Sequence, residues 1–265
     1  MKPPAKYLYF AALILFLCGP YPVRAHETEA SDNALADLIE SIWPSVVAVG
    51  TYYFNDVPKA RLLGTGFVIS NGNRIVTNHH VVSGIIQKKR QAYLRIFHRS
   101  FDPKGIRVNI LDVDKFHDLA ILGKAGPPLP ALKVADNNGI REGHPILFCG
   151  YPIGLVLGLH MTSHTGIISA IAPLVRPSPS ARVIDGSIIR HLNDPYNVLQ
   201  IDATAFPGNS GSPVIRIATG EVVGVISQTF IKGKKEHVLS DPSGITYAIP
   251  AEFIKKLENN LSGRQ

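Results

Sequence analysis

The sequence predicts an all-β fold of two barrels joined by a proline-rich crossing. Three observations carry this. The 265 residues include 23 Gly and 20 Pro, the punctuation of a chain with many turns. They are 45% hydrophobic and 8% aromatic, enough for a packed core and too apolar for a disordered chain. Short runs rich in β-branched residues recur between turn signals such as Asn71-Gly72-Asn73, the pattern of strands in a barrel.

In chain order, residues 1–25 read as an export signal. Lys2 and Lys6 give the basic start, residues 7–17 the apolar stretch, and Val23-Arg24-Ala25 a small-residue cleavage site. That apolar stretch is short for crossing a bilayer; an uncleaved anchor is the alternative reading. Cleavage after Ala25 removes Lys2, Lys6 and Arg24 and no acid, taking the formal charge from +7 to +4. This mild excess excludes a nucleic-acid-binding signature. It also removes Cys18 and leaves Cys149 without an internal disulfide partner.

Leu35, Leu38, Ile39 and Ile42 recur at helical spacing, with Ser31 or Asp32 as N-cap and Pro44 as the stop. Strand-like runs come next at 45–54, 66–70, 74–77, 93–98, 106–112 and 119–122. Gly126-Pro127-Pro128-Leu129-Pro130 breaks the pattern and begins the crossing. A second set runs at 145–149, 161–170, 198–202, 213–217, 221–227 and 244–249. Barrel one is therefore expected over about residues 44–125 and barrel two over about 140–249, six runs each. Pro250 opens a helix to residue 261, with Phe253, Ile254, Leu257 and Leu261 on one side. The chain shows no internal repeat.

The chemistry gathers around Phe206-Pro207-Gly208-Asn209-Ser210-Gly211-Ser212-Pro213. A serine between two glycines in a tight turn exposes its hydroxyl. The N–H groups of Gly208 and Ser210 can then point at one spot beside it, where a carbonyl oxygen would develop negative charge. The hydroxyl needs a base, and the base an orienting carboxylate. Thr77-Asn78-His79-His80 supplies a histidine after a strand-like run, and His117-Asp118-Leu119-Ala120-Ile121-Leu122 an aspartate before one. The order is histidine, aspartate, serine. Between the adjacent histidines, alternation along an extended segment turns His79 away from His80 and toward packing or solvent. Asp112 and Asp114 lack the apolar run that comes after Asp118 and read as solvated turn residues. His117 receives no role.

These three motifs together resemble the trypsin-like serine proteases of the HtrA (DegP) type, within the chymotrypsin superfamily, over roughly residues 35–261. The resemblance implies two six-stranded antiparallel barrels with short terminal helices. It makes His80 the base, Asp118 its orienter, Ser210 the nucleophile, and Gly208 and Ser210 the oxyanion donors. His80 holds the fourth position of the family's Thr-x-x-His, and Leu63-Gly64-Thr65-Gly66-Phe67 its glycine-bracketed strand. The family places the specificity-pocket floor at Thr204; its lack of charge disfavours cutting after Lys or Arg. Val225, Ile226 and Ser227 match the segment that receives substrate as an added strand, with Ser227 beside Asp118. Asn209 stands where animal trypsins carry the Asp that binds a newly cut N-terminus. Ser212 departs from the family's Gly, and its side chain is expected near the active-site wall, where it either narrows a pocket or has no effect. The resemblance also implies a protease domain without the following PDZ domain, a periplasmic or secreted location, unfolded proteins as substrates, and a trimer through the N-terminal region. There Trp43, Tyr52, Tyr53 and Phe54 are equally readable as barrel core.

No cofactor or metal is expected. His144, His160 and His164 lack metal-ligand spacing, and Cys149 reads as an inert core thiol. The long stretch at 171–197, with Arg176, Arg182 and Arg190, reads as a cleft cover or subunit contact. Residues 232–235 with His237 read as a solvated basic loop. The competing function is a protein of the same fold that holds unfolded chains without cutting them. A third is a processing protease dedicated to one partner.

Overall fold

A computed structural model describes residues 26–88, 90, 93–98, 103–136, 139–152, 160–174, 195–227 and 244–263, with side chains from residue 33 onward. The proposed export signal, most of the 171–197 stretch, and the 232–235 cluster with His237 lie outside the described residues. The chain divides into two compact units, Met1–Asp37 and Leu38–Gln265. The described part of the first is the start of helix α1 (His26–Ile42). The second contains both barrels.

Within the second unit, Ile42 is buried and Leu38 and Ile39 pack beside it, the face the sequence spacing marks. Pro44 then imposes a single 3-10 turn, Trp43–Ser45. Barrel one comprises β1 (Val46–Tyr52), β2 (Ala60–Ile69), β3 (Arg74–Thr77), β4 (Leu94–Phe97), β5 (Ile106–Asp114) and β6 (Leu119–Lys124). Its strands run β1-β2-β3-β6-β5-β4 and close by pairing of β1 with β4. Barrel two comprises β7 (Pro145–Gly150), β8 (Thr162–Pro173), β9 (Asn197–Asp202), β10 (Pro213–Arg216), β11 (Glu221–Ile226) and β12 (Ile245–Pro250). Its order, β10-β11-β12-β9-β8-β7, closes through β10 and β7. All twelve strands pair antiparallel within their barrels. Closure removes the unpaired edges an open sheet would carry.

Both faces of the central strands are buried, so their sequences are continuously apolar instead of alternating. Val47 and Val49 join Val68, Ile75 and Leu122 inside barrel one. Their neighbours Val46 and Ala48 face a second core with Phe67, Ile121, Leu147, Ile215 and Val225 drawn from both barrels. Phe148, Ile146, Val214 and Val223 fill barrel two. The crossing is stitched to both barrels. Leu132 N–H donates to Val68 at 2.9 Å, and Ala135 N–H to Val222 at 2.8 Å.

Two helices remain. Helix α2 (His79–Gln87) comes directly after β3 and buries Val81, Val82 and Ile85. Sequence reading missed it, because a short stretch carrying Val81, Val82, Ile85 and Ile86 resembles a buried strand. Helix α3 (Glu252–Ser262) begins two residues after Pro250; Pro250 itself ends β12. It buries Phe253, Ile254 and Leu257. Although it comes after barrel two, its Glu258 pairs with Arg74 of β3 at 2.8 Å. Cys149 is buried, and burial pushes its thiol up to about 11, the behaviour of a packing residue.

Leu257 is 4% exposed and sits in the core shared by the two barrels. Leu257→Ala is expected to cost about 2–5 kcal/mol, read from urea unfolding of the purified protein.

Candidate active site

Asn78 leaves β3 in an extended conformation at the N-cap position of α2, without a side-chain capping bond, so His79 and His80 occupy the first helical turn. The two histidines are therefore separated not by strand alternation but by helical rotation, in which consecutive residues point about 100° apart. The structure directs His80 toward Asp118. Asp118 closes the turn between β5 and β6 with φ of 55°, the left-handed region that residues with side chains rarely adopt. Its carbonyl accepts His79 N–H at 3.1 Å and the Asn78 amide at 3.0 Å. Its carboxylate accepts His80 N–H at 2.9 Å and the Ser227 hydroxyl at 2.9 Å, and meets His80 Nδ1 at 2.7 Å. The Asp118 side chain is 7% exposed and that of His80 is 32% exposed. A buried, hydrogen-bonded carboxylate fixes Nδ1 as the donor and leaves Nε2 to accept a proton. His79 is half-buried, and desolvation lowers its pKa against the opposing pull of Asp118.

The Ser210 turn links β9 to β10. Gly208 and Gly211 have φ of 104° and 90°. A Cβ at Gly211 would lie 2.0 Å from Thr65 O, so only glycine fits. Asn209 N–H donates to Phe206 O, Ser212 N–H to Asn209 O, and Gly211 N–H to Ile226 O, each at 2.9 Å. The N–H groups of Gly208 and Ser210 have no hydrogen-bond acceptor among the described residues. These are two unspent donors flanking one residue, the arrangement an oxyanion requires. Among the described residues no hydrogen bond joins the Ser210 hydroxyl to His80; catalytic hydrogen bonds commonly tighten only with substrate in place.

Thr65 of β2 holds this turn from the other barrel. Its N–H donates to Ser210 O at 2.8 Å and its hydroxyl to Gly208 O at 2.8 Å. The same hydroxyl accepts Tyr151 N–H at 3.0 Å, and the Thr77 hydroxyl reaches Thr65 O at 2.7 Å. Sequence reading noted the glycines around Thr65 and missed the threonine.

Ser227 lies beside Asp118, as expected. Val225 and Ile226 lie in the buried wall of barrel two, where Ile226 already donates to Ser212 and accepts from Gly211. Ser227 N–H in turn donates to Tyr247 O at 3.0 Å. Thr204 is half-buried beside Ala205, whose N–H donates to the Thr246 hydroxyl at 3.0 Å. Ser212 does not line a cleft. It is fully buried, and a Cβ at Gly150 would meet its oxygen at 2.1 Å. Asp114, read from sequence as a solvated turn residue, is half-buried and bonded to His117. Among the described residues no group of three or more His, Cys, Asp or Glu could hold a metal ion.

The family model for the trypsin-like peptidase domain matches residues 64–225, which span β2 through β11. The chain belongs to the trypsin-like peptidase family. It is 26% identical over 285 residues to a probable periplasmic serine endoprotease DegP-like from Hahella chejuensis, covering 96% of this chain and 53% of that protein. It is 30% identical over 239 residues to serine protease HTRA1 of Xenopus laevis, covering 88% and 44%. The chain thus spans about half the length of these curated relatives. The HtrA-type protease AlgW, solved with a tripeptide, superposes with a TM-score of 0.59 at 23% identity, over 86% of this chain and 63% of that one. That likeness establishes the chymotrypsin-like fold.

Thr65→Val keeps the shape of the side chain and deletes its hydroxyl, leaving Gly208 O and Tyr151 N–H short of a partner. The expected cost is about 1–3 kcal/mol, measured by thermal unfolding. For Asp114, burial pushes the carboxyl up, but hydrogen bonds from the His117 ring and the His117 and Phe116 N–H groups outweigh it and hold the pKa below its ordinary value of 3.8. Its contribution to stability is present above that ordinary value and lost as pH falls through the lowered one. Asp114→Asn should therefore flatten the fall in melting temperature below about pH 4.

Proposed function

We infer that the chain is a serine endopeptidase in which Ser210 attacks a peptide carbonyl. The observation that carries the reading is the 2.7 Å contact of His80 Nδ1 with the buried Asp118 carboxylate. The N–H groups of Gly208 and Ser210, unpaired among the described residues, support it. As the bond forms, His80 Nε2 takes the hydroxyl proton, and Asp118 stabilises the imidazolium. Gly208 and Ser210 N–H groups hold the oxyanion. His80 then protonates the leaving amine, and activated water releases the acyl group from Ser210.

An extended chain is the proposed substrate form, since its scissile carbonyl must reach both Ser210 and the two N–H groups beside it. Unfolded or partner proteins of the cell envelope are therefore the proposed substrates, in keeping with the periplasmic designation of the DegP-like relative. Thr204 offers no charge at the proposed pocket floor, so residues other than Lys and Arg are expected at the cut. The Ser210 hydroxyl, without a hydrogen bond among the described residues, favours one second reading, a latent enzyme or a non-cleaving binding protein of the same fold.

Fluorophosphonate labelling of the purified protein tests this. Wild type is expected to label, Ser210→Ala to lose labelling entirely, and His80→Ala to slow it about ten-thousand-fold. Labelling that appears only with an unfolded protein present would indicate the latent enzyme. A folded protein that never labels in either condition would overturn the peptidase reading in favour of binding.

A further inference from the structure

His117 sits one residue before Asp118 and makes no hydrogen bond to His80 or Ser210 among the described residues. Its surroundings are nonetheless specific. Its N–H donates to Asp114 Oδ1 at 3.0 Å, and its ring Nδ1 meets Asp114 Oδ2 at 2.6 Å. Phe116 N–H shares the same Oδ1 at 2.9 Å. The imidazole stacks on Phe253 of α3, with ring centres 3.8 Å apart and planes 19° from parallel. The edges of two further rings close on it, Tyr196 at 4.7 Å and Phe116 at 4.8 Å. Only 17% of the side chain is exposed.

The next residue gives these contacts their importance. Asp118 has φ of 55°, a conformation that persists in a residue with a side chain only where neighbours over-determine it. Asn78 and His79 hold its carbonyl from the α2 side. Leu119 pairs with Asp114 in the β5–β6 ladder. His117 fixes the peptide that enters Asp118. Asp114 anchors it within its own turn, Phe253 from the C-terminal helix, and Tyr196 from the segment leading into β9. Rotating the His117 backbone would rotate Asp118 with it, and the 2.7 Å contact to His80 leaves little tolerance.

We propose that His117 is a positioning residue: bonded to Asp114 and stacked on Phe253, it holds the left-handed turn that presents Asp118 to His80. This rests on the assignment of Asp118 as the orienter of His80.

The test measures fluorophosphonate inactivation at saturating probe, together with its half-saturating concentration and pH profile. His117→Ala is expected to lower the maximal rate about 100-fold, the scale of a misplaced catalytic group. Half-saturation should stay within about twofold, because the probe's contacts are untouched. The pH profile of inactivation should change in the same way as that of Asp118→Ala, since both lose the carboxylate at its place beside His80. His117→Asn, which keeps a donor for Asp114, and His117→Phe, which keeps the stack, should each recover part of the rate. They also serve if His117→Ala does not fold. In an Asp118→Ala background, His117→Ala should add nothing. Wild-type rate and pH profile in folded His117 variants, with Asp118→Ala crippled, would overturn this proposal alone. So would an undiminished effect in the Asp118→Ala background. Wild-type behaviour of Asp118→Ala would instead overturn the assignment of Asp118.

Discussion

The hydrogen bonds from Thr65 to Ser210 and Gly208 are the constraint on which the site depends. A turn that offers two N–H groups to a developing charge cannot spend them on itself, and a turn with two glycines at positive φ has little stiffness of its own. Its order must come from outside. Thr65 supplies it from barrel one with both its backbone and its hydroxyl, and Ile226 supplies it from the neighbouring strand of barrel two. Because the Thr65 hydroxyl also receives Tyr151 N–H, one side chain ties β2, the end of β7 and the serine turn together. The Cβ that Gly211 lacks is the space that lets these backbones approach.

Asp118 obeys the same rule from the opposite direction. It is buried, acidic and left-handed, three conditions that each raise the cost of its position, and bonds offset them. The bonds again come from both barrels. Asn78, His79 and His80 donate from barrel one, and Ser227 donates from the end of β11. His80 and Asp118 thus belong to one barrel and Ser210 and Ser227 to the other, so the chemistry needs the two to keep a fixed relation. The shared apolar core, the stitched crossing and the Arg74–Glu258 pair of α3 supply that relation.

What can be read from the sequence divides along the same line. The two barrels are legible because strand patterning and turn chemistry are local. His80, Asp118 and Ser210 stand out because the residue types the proposed chemistry needs occur here in the order of the chymotrypsin arrangement. Helix α2 is not legible, since Val81, Val82, Ile85 and Ile86 read as well in a strand, and the N–H groups of its first turn find their acceptors on Asp118, 38 and 39 residues away. Extended-chain alternation separates His80 from His79 in the sequence, whereas the rotation of a helical turn separates them in the fold. Thr65 is invisible because its partner Gly208 lies 143 residues away. His117 has no legible role for a related reason: Asp114 is three residues off, but Phe253 and Tyr196 arrive from the far end of the fold.

Ser212 shows how such distant pairings change the meaning of a substitution. Read along the chain, a serine in place of the family's glycine two residues after Ser210 places a hydroxyl near a pocket wall. In the fold, that hydroxyl is buried against Gly150, and the Asn209 amide oxygen approaches the same point, 2.7 Å from where a Gly150 Cβ would stand. The missing side chain at 150 is the room that the extra one at 212 occupies. Positions 150 and 212 are therefore a pair, 62 residues apart in sequence and close together just beyond the paired part of β7 and β10. Apolar packing holds the barrels together without regard to direction, but behind Ser210 the room for a side chain is set by the backbone that faces it. A change there must be judged against its partner on the opposing strand, not against its neighbours in the turn.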